Sequence, residues 1–307
     1  MNNKKRYLLV LLLMVILLTG CTKVMRDSDN NIVKNPDTGQ AITANVLCKP
    51  SKKVLHLYEE NGVDISNLPD CKNFKVNSGG YEGLWTSGFV KPLAWLLVRL
   101  GTFFKNYGVA ILVITLIIRG AMYPITKKTL AQSESMKKVK PLMEKIEKKY
   151  KGKENDRQAM MLKSQEMMAV YKENNIKPLS GCLFALVQIP LFFAFYEALM
   201  RLPIILEGSF GPFKLGITPG TAIQNGQWWY LIVCVLVVVV TYFSFKMTSM
   251  SMSEDQAKQM KMMANIFVVV IAVTSFSIAV SIALYWITSS GFTILQNFLV
   301  KRGKKHA

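Results

Sequence analysis

Long apolar runs constrain this 307-residue chain more than any other feature of its sequence. A helix that crosses a bilayer needs about 20 mostly apolar residues, and a soluble domain has little use for several such runs. The chain is therefore predicted to be an all-α membrane protein. The last run contains 39 residues and would form a helix of roughly 58 Å, about twice the thickness of the hydrocarbon core. The apolar runs are 107–125, 182–200, 228–245 and 262–300.

Charge placement predicts how these runs cross the membrane. Residues 126–178 contain 14 Lys/Arg against 7 Asp/Glu and the tail 301–307 adds four basic residues, whereas the loop 201–227 has two. Because basic loops stay in the cytosol, the first two segments are predicted inside and the third outside. The run 262–300 then begins and ends inside, so it crosses twice, with a turn near Ser277–Ser281. The predicted topology has the mature N-terminus outside, the C-terminus in the cytosol, and five spans at about 107–125, 182–200, 228–245, 262–278 and 281–300.

The first 20 residues are predicted to be a signal peptide. A basic start, Lys4–Arg6, precedes an apolar run from Tyr7 to Leu18 that is too short for a comfortable span. The tetrapeptide Leu-Thr-Gly-Cys that ends at Cys21 resembles a bacterial lipobox. This resemblance implies cleavage before Cys21 and a diacylglyceryl lipid on its thiol, with or without an added N-acyl chain. The alternative is an uncleaved signal anchor that carries a chance cysteine.

Two extracytoplasmic segments are expected before the first span. Residues 21–87 are polar and aperiodic, with scattered Asn, Asp, Gly and Pro, so we expect them to be poorly ordered. Their two further cysteines, Cys48 and Cys71, lie on the oxidising side and either form a disulfide or remain free thiols. Residues 88–105 mix aromatic and basic residues and favour a helix lying in the outer interface. An additional span is the alternative for this segment.

The cytosolic segment 127–178 has the pattern of an antiparallel helical hairpin. Apolar residues recur at helical spacing in two stretches, and Lys151-Gly152-Lys153 separates them. Pro178 ends the second stretch. Methionines crowd this hairpin and the next cytosolic loop, and flexible thioethers suit surfaces that accept varied apolar partners. Simple packing inside the hairpin explains the same residues equally well.

Several polar residues lie inside the predicted spans. Arg119 lies about 12 Å below the cytosolic interface by helical rise, and Thr115 lies one turn away on the same helix face. Gln188 lies in the second span, and the last span is rich in Ser and Thr. A charge within a membrane marks a wet, functional interior by default. The alternatives are that Arg119 only snorkels to the headgroups and that the Ser and Thr residues only mediate helix packing.

No enzyme motif accompanies these residues. The sequence has no GxxxxGK[ST], HExxH, GxSxG or CxxC pattern, and both histidines, His56 and His306, lie outside the spans. We therefore expect no enzyme activity, no metal and no cofactor besides the lipid. Because no acidic residue in the predicted spans is well placed to neutralise Arg119, we expect a hydrated cavity that is open to the cytosol. A small-solute or ion transporter could also use such a charged cavity, although the paired broken half-helices typical of many transporters are not evident.

Four stretches within residues 106–300 resemble the YidC/Oxa/Alb membrane protein insertases, in particular the lipoprotein type of Gram-positive bacteria. They are NYGVAILVITLIIRGAMYPIT, MKKVKPLMEKIEKKY, YKENNIKPLSGCLFALVQIPLFFAFYEALM and IALYWITSSGFTILQNFLVK. The resemblance implies a five-helix core that encloses a hydrophilic groove open to cytosol and lipid. The turn before the last span departs from the family's usual Pro-Ala-Gly pattern, because Ala279-Val280-Ser281 stands there.

The resemblance also implies site residues and partners. By position, Arg119 is the family's intramembrane arginine, Gln188 is the polar groove residue of the second span, and Trp286 is the aromatic residue that faces the groove, with Tyr285 beside it. Thr115 joins this substrate groove from its place next to Arg119. The implied activity is that of an insertase and chaperone that works without nucleotide hydrolysis. The implied partners are nascent membrane proteins, the ribosome, the Sec translocon, the signal recognition particle pathway and membrane lipids, with no DNA.

Overall fold

The computed structural model describes residues 22–153, 155–176, 180–249 and 254–303. The predicted signal peptide, Cys21, Pro178 and the end of the tail lie outside the described residues. The architecture is all-α, as predicted. The longer helices are α1 (Lys52–Glu60), α2 (Lys91–Phe103), α3 (Tyr107–Ala121), α4 (Tyr123–Lys149), α5 (Arg157–Glu173), α6 (Ser180–Met200), α7 (Leu231–Ser249), α8 (Glu254–Thr274) and α9 (Val280–Gly303).

Short elements connect these helices. Strands β1 (Ser209–Phe210) and β2 (Phe213–Lys214) form an antiparallel hairpin, with Ser209 opposite Lys214. A π-helical turn, Thr86–Val90, leads directly into α2. The remaining short helical turns are Cys71–Asn73, Gly83–Trp85, Pro203–Leu206, Pro219–Gln224 and Trp228–Tyr230.

The chain divides into two compact units. The first contains the described residues of Met1–Thr115 together with Gln188–Val233 and Phe276–Tyr285. The second contains the described residues of Leu116–Val187, Cys234–Ser275 and Trp286–Ala307. The first unit therefore combines the described part of residues 21–87, called the outer segment below, with the predicted outer loop 201–227. The second unit contains the predicted cytosolic hairpin.

The outer segment is folded, so the prediction of a poorly ordered segment is wrong. Side chains from distant positions pack into one core that includes Met25, Ile42, Val46, Tyr58 and Ile65. Sequence periodicity gave no sign of this core because the chain forms isolated β-bridges and tight turns instead of long strands. The carboxylate of Asp27 accepts hydrogen bonds from the backbone N–H groups of Asp29 (3.0 Å) and Asn31 (2.8 Å), which closes one of these turns.

Cys48 and Cys71 form a disulfide in this segment, which is the first of the two alternatives for these thiols. Their Cα atoms are 4.8 Å apart, and both residues are buried. Lys49 and Asp70, next to the two cysteines, also form a parallel β-bridge. The disulfide thus joins the start of α1 to the chain that leads toward α2, and it helps to explain why a small core can persist.

The predicted interfacial segment 88–105 contains α2, which buries one face and exposes the other. Ala94, Leu97 and Val98 are fully buried, whereas Phe103 is 78% exposed. Lys91 does not belong to the exposed face, because it is 0% exposed and its Nζ lies 2.8 Å from a carboxylate oxygen of Glu82. α2 thus has a packed side and an aromatic, solvent-exposed or lipid-exposed side.

The break between α8 and α9 falls at residues 275–279, close to the predicted turn near Ser277–Ser281. Backbone hydrogen bonds hold the end of this turn to the outer loop within the first unit. Val280 N–H donates to the carbonyl of Ile217 (3.0 Å), and Gly220 N–H donates to that of Phe276 (2.8 Å). A Cβ at Gly220 would lie 2.8 Å from the Phe276 carbonyl oxygen, so only glycine permits this close approach.

Helices α4 and α5 form the predicted hairpin in the second unit. Val139, Met143 and Tyr171 pack in its core, with Met167 partly buried beside them. Asp156 caps α5 by accepting hydrogen bonds from the Gln158 and Ala159 N–H groups. Met143 packs inside the hairpin whereas other methionines point outward, so packing inside the hairpin does not account for all of them. The exposed methionines of the hairpin are Met160, Met161 and Met168.

Among the described residues, one helical stretch is long and apolar enough to cross a bilayer alone, namely Trp228–Met247, with a mean hydropathy of 2.2. Helix α3 and the start of α4, Tyr123–Leu130, are long and apolar enough to cross a bilayer only when they are taken together, and they are bent by 59° relative to each other. Pro124, near the start of α4, accounts for such a bend because it cannot donate a helical hydrogen bond. Gln188–Met200 and Met262–Thr274 are apolar but shorter. The five-span topology therefore stays a prediction.

Candidate functional site

Arg119 is buried in the second unit, where the end of α3 presents it to a serine of α9. The Arg119 side chain is 7% exposed, and that of Ser289 is 5% exposed. The Arg119 Nε donates a hydrogen bond to the Ser289 Oγ at 2.9 Å, and the Nη2 donates to the same oxygen. A hydroxyl accepts hydrogen bonds without neutralising the positive charge. The site therefore places a buried guanidinium against a buried hydroxyl.

A second polar contact joins the same two parts of the chain beyond the α3–α4 bend. Gln296 Nε2 donates to Thr126 Oγ1 at 3.1 Å, and both side chains are buried. Gln296 follows Ser289 by seven residues, so the two lie on one face of α9. These two contacts fix α9 against the chain on both sides of the bend.

Trp286 is held by a hydrogen bond and by aromatic contacts in the second unit. Its indole Nε1 donates to Thr241 Oγ1 at 2.9 Å, and Thr241 in turn donates to the Val237 carbonyl at 2.6 Å. The ring of Trp286 lies 6.3 Å from that of Phe267, at an interplanar angle of 26°. The indole is thus fixed in orientation by a buried threonine, which sequence reasoning missed because threonine often packs passively in membrane helices.

Gln188 and Tyr285 meet in the first unit. The Gln188 Nε2 donates to the Tyr285 hydroxyl at 3.2 Å, and the Tyr285 ring stacks on Phe195 with centroids 4.4 Å apart. The Gln188 amide oxygen is buried and has no hydrogen-bond partner among the described residues. Thr115, 1% exposed in the same unit, donates its hydroxyl to the Ile111 carbonyl of its own helix at 2.6 Å. The amide oxygen of Gln188 is the group in this set that can accept a further hydrogen bond, from water or from a donor on a bound chain.

The first unit also contains a set of four charged residues, three of them buried, that sequence reasoning missed. We call Glu82, Lys91, Glu197 and Arg201 the ionic cluster. The Arg201 guanidinium contacts Glu82 at 2.5 Å and Glu197 at 3.1 Å, and the Trp85 indole donates to Glu197 at 2.9 Å. One sign of the ionic cluster was present in the sequence, because Glu197 and Arg201 are four residues apart, a spacing at which helical side chains can meet.

The ionic cluster attaches the folded outer segment to the end of α6. Arg201 Nε donates to the Asn45 carbonyl at 2.6 Å, and the Arg201 carbonyl accepts from Leu47 N–H at 2.9 Å. Burial alone would raise the pKa of Glu82, but hydrogen bonds from Lys91 and Arg201 outweigh it and lower that pKa. Glu82 is therefore a carboxylate at neutral pH, and the two acids balance the two bases.

Several predicted features of the site remain predictions. Cys21 lies outside the described residues, so its lipid is untested. Within the part of the chain that the structure describes, no group of three or more His, Cys, Asp or Glu residues could hold a metal ion. The five residues predicted to line the groove take part in four of the hydrogen bonds described above. Three of these bonds join different helices: Arg119 to Ser289, Trp286 to Thr241 and Gln188 to Tyr285. The fourth, from Thr115 to Ile111, lies within one helix.

Comparison with known proteins identifies the class to which this architecture belongs. The family model for the 60Kd inner membrane protein matches residues 99–307, which include α3 to α9. The chain therefore belongs to this family.

The names of similar proteins indicate the activity of the family. The chain is 33% identical over 226 residues to the membrane protein insertase YidC of Oceanobacillus iheyensis, covering 72% of this chain and 85% of that protein. It is 34% identical over 220 residues to the membrane protein insertase YidC 2 of Bacillus anthracis, covering 71% and 82%. The comparisons thus assign the chain to the membrane protein insertases.

A solved structure supports the same assignment. An active YidC insertase, in a crystal structure with its first transmembrane domain resolved, superposes with a TM-score of 0.50 at 27% identity. The match covers 72% of this chain, which spans about half (48%) of that longer chain.

Proposed function

We propose that this chain moves hydrophobic segments of nascent membrane proteins from the cytosol into the bilayer through a hydrophilic groove. The groove is open to cytosol and lipid, and transfer needs no nucleotide hydrolysis. The buried guanidinium of Arg119, bonded to the neutral hydroxyl of Ser289, is the observation that carries this proposal. Such a cation, kept charged within an apolar chain, suits transient binding of an acidic segment.

The energetics of insertion explain why such a groove would help. Moving an Asp of a short outer tail to the bilayer centre costs about 2.5–3.5 kcal/mol on the insertion scale. A hydrated groove shortens the hydrocarbon path, and Arg119 offers the acidic group a partner on the way. The apolar part of the substrate then enters lipid, and burial of its apolar surface drives the reaction forward.

The remaining groove residues follow from their chemistry. Gln188 has a buried amide oxygen that can accept a hydrogen bond from the passing backbone, and Tyr285 fixes its amide nitrogen. Trp286 and Thr115 are proposed to line the same path. The exposed methionines of the α4–α5 hairpin would contact the apolar segment as it arrives, because flexible thioethers adapt to varied surfaces.

The proposal includes a topology and a location. We infer a bacterial plasma membrane protein with five spans, the mature N-terminus outside, the C-terminus inside, α2 in the outer interface and a lipid on Cys21. Charge asymmetry between the loops supports the orientation. Exposed apolar side chains cover the helices of the second unit, which suits contact with lipid, as at Ile117, Val235, Val269, Val273 and Leu299. The proposed partners are nascent chains, lipids, the ribosome, the Sec translocon and the signal recognition particle pathway.

A matched substrate pair tests the proposed role of Arg119. Two single-span proteins that differ only in Asp or Asn residues of the outer tail would be inserted into vesicles that contain each variant. Arg119→Ala should reduce insertion of the acidic-tailed protein by about tenfold, equivalent to roughly 1.4 kcal/mol, and the neutral-tailed protein much less. Arg119→Lys should retain much activity because the charge remains, although the planar fork is lost.

The same experiment separates the alternatives. Equal loss for both substrates would mean that Arg119 only maintains the structure. Undiminished insertion of both would mean that its side chain only reaches the headgroups.

A further inference from the structure

The indole of Trp286 has its polar edge bound to α7. Its Nε1–H donates to Thr241 Oγ1 at 2.9 Å, and this bond joins α9 to α7 within the second unit. An indole has a single hydrogen-bond donor and no acceptor. The rest of the surface of the Trp286 side chain is therefore apolar.

Thr241 is well suited to accept this bond. It is 2% exposed, and its own hydroxyl hydrogen is used in a bond to the Val237 carbonyl one turn earlier on α7, at 2.6 Å. That bond and the branched Cβ hold the threonine side chain in one rotamer. The hydroxyl oxygen thus faces the indole as an acceptor of fixed direction, and burial keeps water from competing for the indole N–H.

Aromatic side chains pack against the same ring. The ring of Trp286 lies 6.3 Å from that of Phe267 on α8, and Phe267 meets Phe245 of α7 at 5.1 Å, with 62° between their planes. Trp286 is nevertheless only half-buried, and Phe267 is 37% exposed. The exposed part of Trp286 and Phe267 is therefore an apolar surface whose orientation is fixed by α7.

We propose that Thr241 is a positioning residue that masks the polar edge of Trp286, so that the indole offers only apolar surface to the incoming segment. The proposal rests on the proposed insertase function, in which Trp286 lines the substrate path. Segments that cross a bilayer are mostly apolar. An unmasked indole N–H would instead favour groups that accept a hydrogen bond, such as an Asn side chain. Thr241 thus sets the preference of this contact for apolar segments.

Two single-span substrates test this role. They share a neutral outer tail and differ only in Leu or Asn at the centre of the span, so neither requires the charge of Arg119. The full-length variants Thr241→Val, Thr241→Ser and Trp286→Phe would be reconstituted into vesicles beside the natural chain. Thr274→Val is the matched control, because Thr274 is an exposed threonine of α8 that makes the same bond to a carbonyl one turn earlier, at 2.9 Å. A detergent melting curve would confirm that each variant folds.

We expect Thr241→Val to slow insertion of the Leu protein about five- to tenfold, the factor that loss of one hydrogen bond produces. The Asn protein should slow less than about twofold, because the freed indole N–H can donate to the Asn side chain. Thr241→Ser keeps the hydroxyl, so it should insert the Leu protein within about twofold of the natural chain.

Trp286→Phe separates masking from a simple link between helices. It loses the same hydrogen bond as Thr241→Val, but phenylalanine keeps an aromatic ring and has no N–H to mask. It should therefore keep the preference for the Leu protein over the Asn protein. Addition of Thr241→Val to Trp286→Phe should have no further effect, because the two residues act as one unit.

Other results would overturn the proposal. An equal loss for the Leu and Asn proteins, or an equal loss in the Ser and Val variants, would mean that Thr241 acts through packing alone. A loss of the Leu preference in Trp286→Phe would mean that the bond only joins the helices, and this result decides the question even if Thr241→Val does not fold. If the natural chain inserted neither protein, the proposed function would fail first. If it inserted the Leu protein and Thr241→Val changed nothing, only the role of Thr241 would fail.

Discussion

The two most deeply buried arginines of the described chain bind different kinds of side chain. Arg201, 2% exposed in the first unit, binds the carboxylates of Glu82 and Glu197. Arg119, 7% exposed in the second unit, donates to the hydroxyl of Ser289. Both are outside bulk water, so each must recover part of the cost of desolvation through its contacts. The same side chain thus binds carboxylates in one unit and a hydroxyl in the other.

This difference indicates different purposes. A balanced cluster loses much when one member is removed, because the remaining charge stays buried, so it specifies one arrangement of the chain. A cation bonded to a neutral hydroxyl leaves that hydroxyl uncharged when it is removed. Its retention in an apolar chain is better explained by binding than by stability. The comparison predicts that changes at Arg201 alter folding, whereas changes at Arg119 alter insertion.

The largest effect is expected from Arg201→Met. The variant leaves Glu197 buried without its cation and removes the hydrogen bond to the Asn45 carbonyl, so the free energy of unfolding should fall by about 3–5 kcal/mol. Thermal unfolding in detergent and protease digestion of the outer segment would measure the loss. Lys214→Met is the matched control, since Lys214 is an exposed basic residue of the same loop. Equal behaviour of the two variants would contradict a structural role for the ionic cluster.

Removal of the disulfide should produce the next largest effect. Cys48 and Cys71 are 23 residues apart, and closure of a loop of this length stabilises a fold by about 3 kcal/mol in the chain-entropy model. The double variant Cys48→Ser/Cys71→Ser should therefore become sensitive to protease added from outside. Cys234→Ser, which alters a buried free thiol in the second unit, is the control. Undiminished protease resistance in the double variant would show that the core around Tyr58 is sufficient.

The long helices and the outer segment also differ in how far the sequence predicted them. The order of long helices, the hairpin and the break before α9 follow from apolar runs, helical spacing and charge, which are properties of neighbouring residues. The fold of the outer segment does not, because its core joins Met25, Ile42 and Tyr58 through turns and isolated bridges. Such contacts between distant residues leave no periodic pattern in the sequence.

The candidate site shows the same limit. Sequence position and family resemblance identified Arg119, Gln188, Trp286 and Tyr285, because a polar residue in an apolar run is conspicuous. Their partners were not identified. Ser289 was one of many Ser and Thr residues in the last span, and nothing local distinguished it until the structure placed it against Arg119, 170 residues away.

A smaller, pH-dependent effect is expected at Glu82. Hydrogen bonds from Lys91 and Arg201 outweigh burial and lower its pKa below the ordinary 4.5, so folding favours the ionised carboxylate. The stabilisation is therefore complete above pH 4.5 and is lost as pH falls below 4.5 through the lowered pKa. The side chain is 35% exposed, so the effect should be smaller than that of Arg201→Met.

Glu82→Gln provides the measurement. Its deficit in protease resistance of the outer segment, relative to the natural chain, should be constant near pH 7 and should shrink as pH is lowered below 4.5. Glu59→Gln is the control, because Glu59 is an exposed acid of α1. A deficit that grew on acidification would contradict the direction of the pKa shift.

The smallest effect on stability is expected from Arg119→Met, and this variant tests the comparison most directly. The substitution removes a cation and two hydrogen bonds to Ser289, whose neutral hydroxyl can then bond to the carbonyl one turn earlier on α9, as Thr293 does. It also removes the cost of keeping a charge in an apolar region. These changes oppose each other, so the free energy of unfolding should change by no more than about 1 kcal/mol.

The same melting assay would be applied to Arg119→Met and Arg201→Met, with insertion of the acidic-tailed protein measured on identical vesicles. Arg119→Met should melt close to the natural chain and lose insertion, whereas Arg201→Met should lose stability first. The reverse pattern, with Arg119→Met unfolding as readily as Arg201→Met, would mean that the hydroxyl contact stabilises the chain as strongly as two carboxylates do. Arg119 would then be a structural residue, and the wet groove would need another cation.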